Sequence, residues 1–209
     1  TKACSATLQP ELEITMLTGA NAMPELAEVE RNVKIGALDV PMFAFSKTAK
    51  NDGARITKLK ITAKFQHQGD VKNVKVFLDG LSAPVAQCGS MTAEGQSLWS
   101  CTWTAGDNLL PSFIPAGSTF VFRVRADIGS PGTAGLGDTI RFMIDPKVDV
   151  EGKGVTTGAS AVVNGSNLIA PHALHIVPFS VFLSAVSPIN DYMSMIGSGS
   201  LQAKVGAYN

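Results

Sequence analysis

Residues 118–129, STFVFRVRADIG, set Phe120, Phe122 and Val124 against Val121, Arg123 and Arg125, and this two-residue alternation recurs along the chain. Side chains of a strand point to opposite faces in turn, so a chain patterned in this way buries an apolar face as extended structure and not as helix. NVKVFLDG, residues 73–80, repeats the pattern with Val74 and Val76 and ends in an Asp-Gly turn, and DTIRFMID, residues 138–145, does so with Ile140, Phe142 and Ile144. RITKLKITAKF, residues 55–65, carries Ile56, Leu59, Ile61, Ala63 and Phe65, with a shift of phase near Thr57 and Lys58 that predicts a bulge. HALHIVPFSVFL, residues 172–183, alternates again around Pro178. The one helical candidate of any length, MPELAEVERNVK at 23–34, allows either a single turn or an extended run.

Short strands bounded by Gly, Pro, Asn and Asp, without intervening helices, predict an all-β fold: an antiparallel, immunoglobulin-like β-sandwich, with a closed barrel as the competing shape. A chain of 209 residues is long enough to bury a core of its own. Its 17 basic and 17 acidic residues balance and form no run, which gives no electrostatic reason to expect nucleic acid as a partner. Charged residues make up only 16%, which suits exposed faces covered by uncharged polar groups or by neighbouring copies. No stretch is apolar for long enough to span a membrane as a helix.

Cys88 and Cys101 bracket GSMTAEGQSLWS, a polar loop between two strand-like runs. A disulfide between them would add about 3 kcal/mol by restricting the unfolded chain, and would indicate an oxidising, extracellular setting. Two buried thiols in a reducing compartment are the alternative, and Cys4 is left over as a free or interchain thiol. Chemistry is otherwise sparse. His172 and His175 are three apart, which on a strand places them on opposite faces, and His67 has no catalytic motif beside it. Asp145, Asp149 and Glu151 match no calcium loop and read as solvated carboxylates, while the glycine-rich 129–138 lacks the lysine and following helix of a phosphate cradle. Asn164-Gly165-Ser166 is a possible glycosylation sequon on a surface loop. With no nucleophile elbow, HExxH or CxxC motif, the expectation is a non-enzymatic chain with no cofactor and no metal.

The order NVKIGALDVPMFAFSKTAKNDGARITKLKIT, then GDVKNVKVFLDG, resembles the immunoglobulin-like β-sandwich repeats of prokaryotic cell-surface and S-layer-type proteins. The later GVTTGASAVVNGSNLIAPHALHIVPFSVFLSA is similar to the end of one such repeat running into the next. The resemblance implies a structural role at a cell surface or in an extracellular fibre, and no catalytic residue. An extracellular carbohydrate-binding or adhesin module is the alternative. For that module Trp99 and Trp103, on one face of one strand, are the candidate platform, against a packing role beside the disulfide.

The chain also echoes itself. Lys34, Gly36 and Ala37 recur as Lys204, Gly206 and Ala207, each after an apolar extended run. This divides the chain into a sandwich at 1–177 and a strand-bearing segment at 178–209. The segment starts a further repeat, supplies the second of two similar strands in one sandwich, or is donated to a neighbour. Donation makes Phe179, Val181, Leu183 and Ile189 an assembly strand, and the expected partners are copies of the same chain in a filament, pilus-like fibre or surface layer.

Overall fold

Alternating apolar residues become strands wherever turn residues let the chain reverse, and the computed structural model places fourteen of them. It describes residues 9–18, 23, 26, 30–105, 113–166, 168–169 and 172–178. In chain order these are β1 (Glu11–Leu17), β2 (Glu30–Lys34), β3 (Val40–Lys50), β4 (Ala54–Lys64), β5 (Val71–Leu78), β6 (Ala86–Cys88) and β7 (Thr92–Gly95). Then follow β8 (Leu98–Thr104), β9 (Thr119–Ile128), β10 (Thr139–Ile144), the one-turn helix α1 (Pro146–Asp149), β11 (Val150–Gly154), β12 (Val162–Asn164), β13 (Leu168–Ile169) and β14 (Ala173–Val177).

The strands form a two-sheet sandwich. One sheet runs β12-β1-β3-β9-β5-β6, and the other runs β2-β14-β10-β4-β8-β7, with β11 also on β4 and β13 on β10. Pairing is antiparallel except at two places, β1 with β12 and β2 with β14, each of which joins an early strand to a late one in parallel. Inward residues of both sheets make one apolar cluster. At its centre Phe43 packs on Phe45 (ring centroids 5.6 Å apart), Phe45 on Phe122 (5.3 Å), and Phe43 reaches Phe142 of the other sheet (6.2 Å).

Several local expectations can be checked strand by strand. The phase shift in β4 is a bulge: Glu151 pairs with Lys58 and Gly152 with Ile56, so Thr57 is skipped. Residues 30–34 are extended, not helical. Asp145 and Asp149 are corrected from solvated carboxylates to helix-end bonds: Asp145 caps α1 by accepting the amide of Lys147, and Asp149, buried, accepts the amide of Asp145 at 2.8 Å. The sandwich elements all belong to a unit spanning Thr1–Pro178. Phe179, Val181, Leu183, Ile189, Cys4 and the repeated AKVGA lie outside the described residues.

Candidate functional site

Two places gather polar chemistry. The first is at one end of the sandwich, where the turn from β4 to β5 meets the glycine-rich loop from β9 to β10. The turn HQGD folds back so that Asp70 accepts the amide of His67 (2.9 Å), while the other oxygen of Asp70 accepts the amide of Gly135 (2.8 Å). One carboxylate thereby ties both segments, and the loop is further held by the Gly129 amide on the Asp70 carbonyl (3.0 Å). Asp138, at the end of the same loop, contacts the Nδ1 of His67 at 2.5 Å. Asp70 is fully buried and Asp138 nearly so, whereas 63% of the His67 side chain is exposed. Burial pushes the Asp70 carboxyl up and Asp138 adds to this, against the lowering by its two amide donors. Hydrogen bonding to Asp138 raises His67. The glycine-rich loop is therefore clamped, and His67, which has no catalytic motif beside it in sequence, meets a buried carboxylate in the fold. The HxxD spacing at 67–70 was the available signal; Asp138, 71 residues from His67 in sequence, had none.

The second place is the outer face of the sheet that contains β4. Its lysines on β4 alternate outward. Lys58 meets Glu151 at 3.0 Å and Lys60 meets Glu94 at 2.6 Å. Lys64 is different: its cross-strand neighbour on β10 is Arg141, both are exposed, and among the described residues neither forms an ion pair. They line a cleft of about 340 Å³ with Phe65, Gln66, Ser97 and Thr139. On the opposite sheet, by contrast, Arg125 meets Asp39 at 3.0 Å, and Lys75 lies near Asp39 and Asp127.

The remaining sequence candidates fall into structural roles. Cys88 and Cys101 are joined by a disulfide, but not across a simple hairpin, because β6 and β8 belong to different sheets and the bond links the two layers. Trp103 is buried beside it and donates to the Gln87 carbonyl at 3.0 Å. Trp99 lies stacked on Phe65 (5.3 Å) and donates to the Phe65 carbonyl. Both indoles are thus turned to the protein. His172 is buried, while His175 contacts Thr139 at 3.2 Å, as opposite strand faces require. Asn164 is exposed on the edge strand β12 and not in a loop, with its amide 3.5 Å from Glu11. A residue that sequence reasoning passed over is Lys47, buried in the core with its ammonium 4.7 Å from the Phe122 ring centroid and 5.4 Å from that of Phe45.

These features define a class: an immunoglobulin-like β-sandwich whose layers are joined by a disulfide. No family model matches the chain, and comparison with curated proteins finds no match. Among solved structures it is similar to the seventh ScaB type I cohesin of Pseudobacteroides cellulosolvens, at 12% identity over 84% of this chain and 98% of that one, with a TM-score of 0.39. It is similar to AvmM, which catalyses macrocyclization in alchivemycin A biosynthesis, at 11% identity over 83% and 93% with a TM-score of 0.42. It is also similar to the sixth cohesin of Acetivibrio cellulolyticus scaffoldin B in complex with a Cel5 dockerin, at 11% over 81% and 99% with a TM-score of 0.32. At such values the likeness concerns the sandwich alone.

The partner expectation is corrected. The cohesin in that complex has a dockerin, a different kind of chain, as its partner, where the expectation from sequence is copies of the same chain. The edges of this sandwich are short: β6 and β12 are three residues long, β7 four and β2 five, and β7 is bulged between Ala93 and Gly95. Short or bulged edges are what sheets use to discourage strand addition, so the described residues offer no long template for a donated strand.

Proposed function

We propose that this chain is a non-catalytic, extracellular protein-binding module of a cell-surface assembly, and that it engages a different chain through the outer face of the β4 sheet. The observation that carries the reading is the Lys64–Arg141 pair. Like charges set directly opposite on neighbouring strands destabilise a sheet, and here they flank a cleft without a carboxylate to neutralise them. An acidic segment of a partner would supply it, since a guanidinium takes a carboxylate through two parallel hydrogen bonds, with Ser97 and Thr139 as further donors at the rim. The disulfide supports an oxidising compartment. The inward-turned tryptophans favour a protein partner over a stacked sugar.

The test has two arms. Impermeant biotin applied to intact producing cells is expected to label the protein. Cross-linking on those cells is expected to capture a different, acidic chain with the unaltered protein, and to lose it with the double variant Lys64→Glu, Arg141→Glu. Capture of the same chain at equal yield by the charge-reversed variant would remove the proposed face.

A further inference from the structure

We propose that His67, Asp70 and Asp138 form a binding site for one divalent transition cation of zinc-like preference. The site adjoins the Lys64–Arg141 cleft, whose lining includes Gln66 and Thr139, but shares no residue with it and does not depend on the reading given to it.

Three arguments from the structure converge. One is distance: one ligand atom from each residue, an imidazole nitrogen and two carboxylate oxygens, all lie within 4.8 Å of one another. Ligands around a tetrahedral ion with bonds of 2.0–2.2 Å sit ~3.3 Å apart, so the donors stand within about 1.5 Å of the spacing such an ion requires. Another is charge. Asp70 is 0% exposed and Asp138 is 7% exposed, and among the described residues neither forms an ion pair with lysine or arginine. Buried carboxylates are found paired with a cation or on a metal, and among the described residues the one basic side chain in contact with either is His67, on Asp138.

The last argument is preorganisation. Both oxygens of Asp70 are held by backbone amides, one from each segment that contributes a ligand. Gly135 passes so close that a Cβ there would stand 2.1 Å from the Asp138 Oδ2 and 2.7 Å from the His67 Nδ1. A residue without a side chain is therefore required for the donors to keep their places, which accounts for part of the glycine richness of 129–138.

The donor set selects the ion. Calcium and magnesium take oxygen ligands, whereas imidazole with carboxylates suits zinc and its neighbours. The exposed His67 ring leaves a path for entry and a fourth position for water. The ion would join the β4–β5 turn to the β9–β10 loop and so stiffen one end of the sandwich.

The experiment uses the full chain, stripped with a chelator and dialysed. Titration with Co²⁺ is expected to give visible ligand-field bands that saturate at one equivalent and disappear when Zn²⁺ is added. Zn²⁺ at a hundredfold excess over Kd should raise Tm by roughly 5–10 °C, and Ca²⁺ at the same concentration should leave it unchanged. His67→Ala and Asp138→Asn should each weaken Zn²⁺ binding at least tenfold. Because the His67 side chain is 63% exposed, His67→Ala is expected to fold, with a lower apoprotein Tm from the partner that Asp138 loses, and its Zn²⁺ affinity decides the matter if Asp138→Asn fails to fold. The proposal is overturned by absent Co²⁺ bands, by an equal response to Ca²⁺, or by unchanged Zn²⁺ affinity in His67→Ala.

Discussion

Lys47 shows how much one residue can oppose the fold that contains it. It follows Phe43 and Phe45 on the inward face of β3 and is 1% exposed, with the rings of Phe45 and Phe122 beside its ammonium. Burial lowers its pKa from 10.5 to about 7. Between these values the unfolded chain holds a proton that the folded chain has released, so stability rises with pH from about 7 to 10.5 and is flat in this respect below 7. Lys47→Met keeps the length of the side chain and removes the amine. It is expected to stabilise the protein at pH 7 by roughly 2–4 kcal/mol, less than the whole shift at 1.36 kcal/mol per unit implies. The gain should shrink as pH approaches 10. Urea denaturation of both proteins at pH 7 and pH 10 checks the sign and the trend.

At the scale of elements, the two layers are held by their apolar faces and by one covalent link. The Cys88–Cys101 bond closes a separation of 13 residues between β6 and β8, and a loop of that size is worth about 3 kcal/mol. Replacing both cysteines with serine is expected to lower the unfolding free energy by about that amount, read from denaturant midpoints, with a reductant giving the same loss in the unaltered protein and none in the variant. The Lys64–Arg141 pair between β4 and β10 carries a prediction of opposite character. Arg141→Glu turns a repulsive cross-strand pair into an attractive one, and should raise stability by up to about 0.5 kcal/mol while abolishing capture of the acidic partner. A variant that gains stability yet loses binding separates a functional face from a structural one.

Across the whole molecule, closure depends on residues far apart in the chain. Glu11 pairs with Val162 and Glu30 with Ala173, so both sheets are completed only when late strands dock beside early ones. Non-local pairing of this kind makes folding slow, in the range of milliseconds to seconds. Because the described strands are contained within Thr1–Pro178, a chain ending at Pro178 is expected to keep the melting midpoint of the full protein within about 2 °C and to remain cooperative in calorimetry. A broad or absent transition would show that residues beyond 178 complete the core.

Period-two alternation, turn residues and the phase shift at Thr57 were enough to read the long strands β4, β5, β9 and β10, the bulge in β4 and the all-β class, because strand formation and facing are local properties of side chains on a pleated backbone, whereas short strands such as β7, β11, β12 and β13 carry too few residues for a pattern. The loop length between Cys88 and Cys101 likewise marked them as a pair. Which sheet each strand enters is not local. Tertiary structure alone placed β6 and β8 in different layers, set Lys64 opposite Arg141, and brought Asp138 to His67 and Asp70 from a distant part of the chain. It also decided that Lys47, a residue whose type favours the surface, would share the inward face with Phe43 and Phe45, because the pleat sends every second side chain to the core whatever its chemistry.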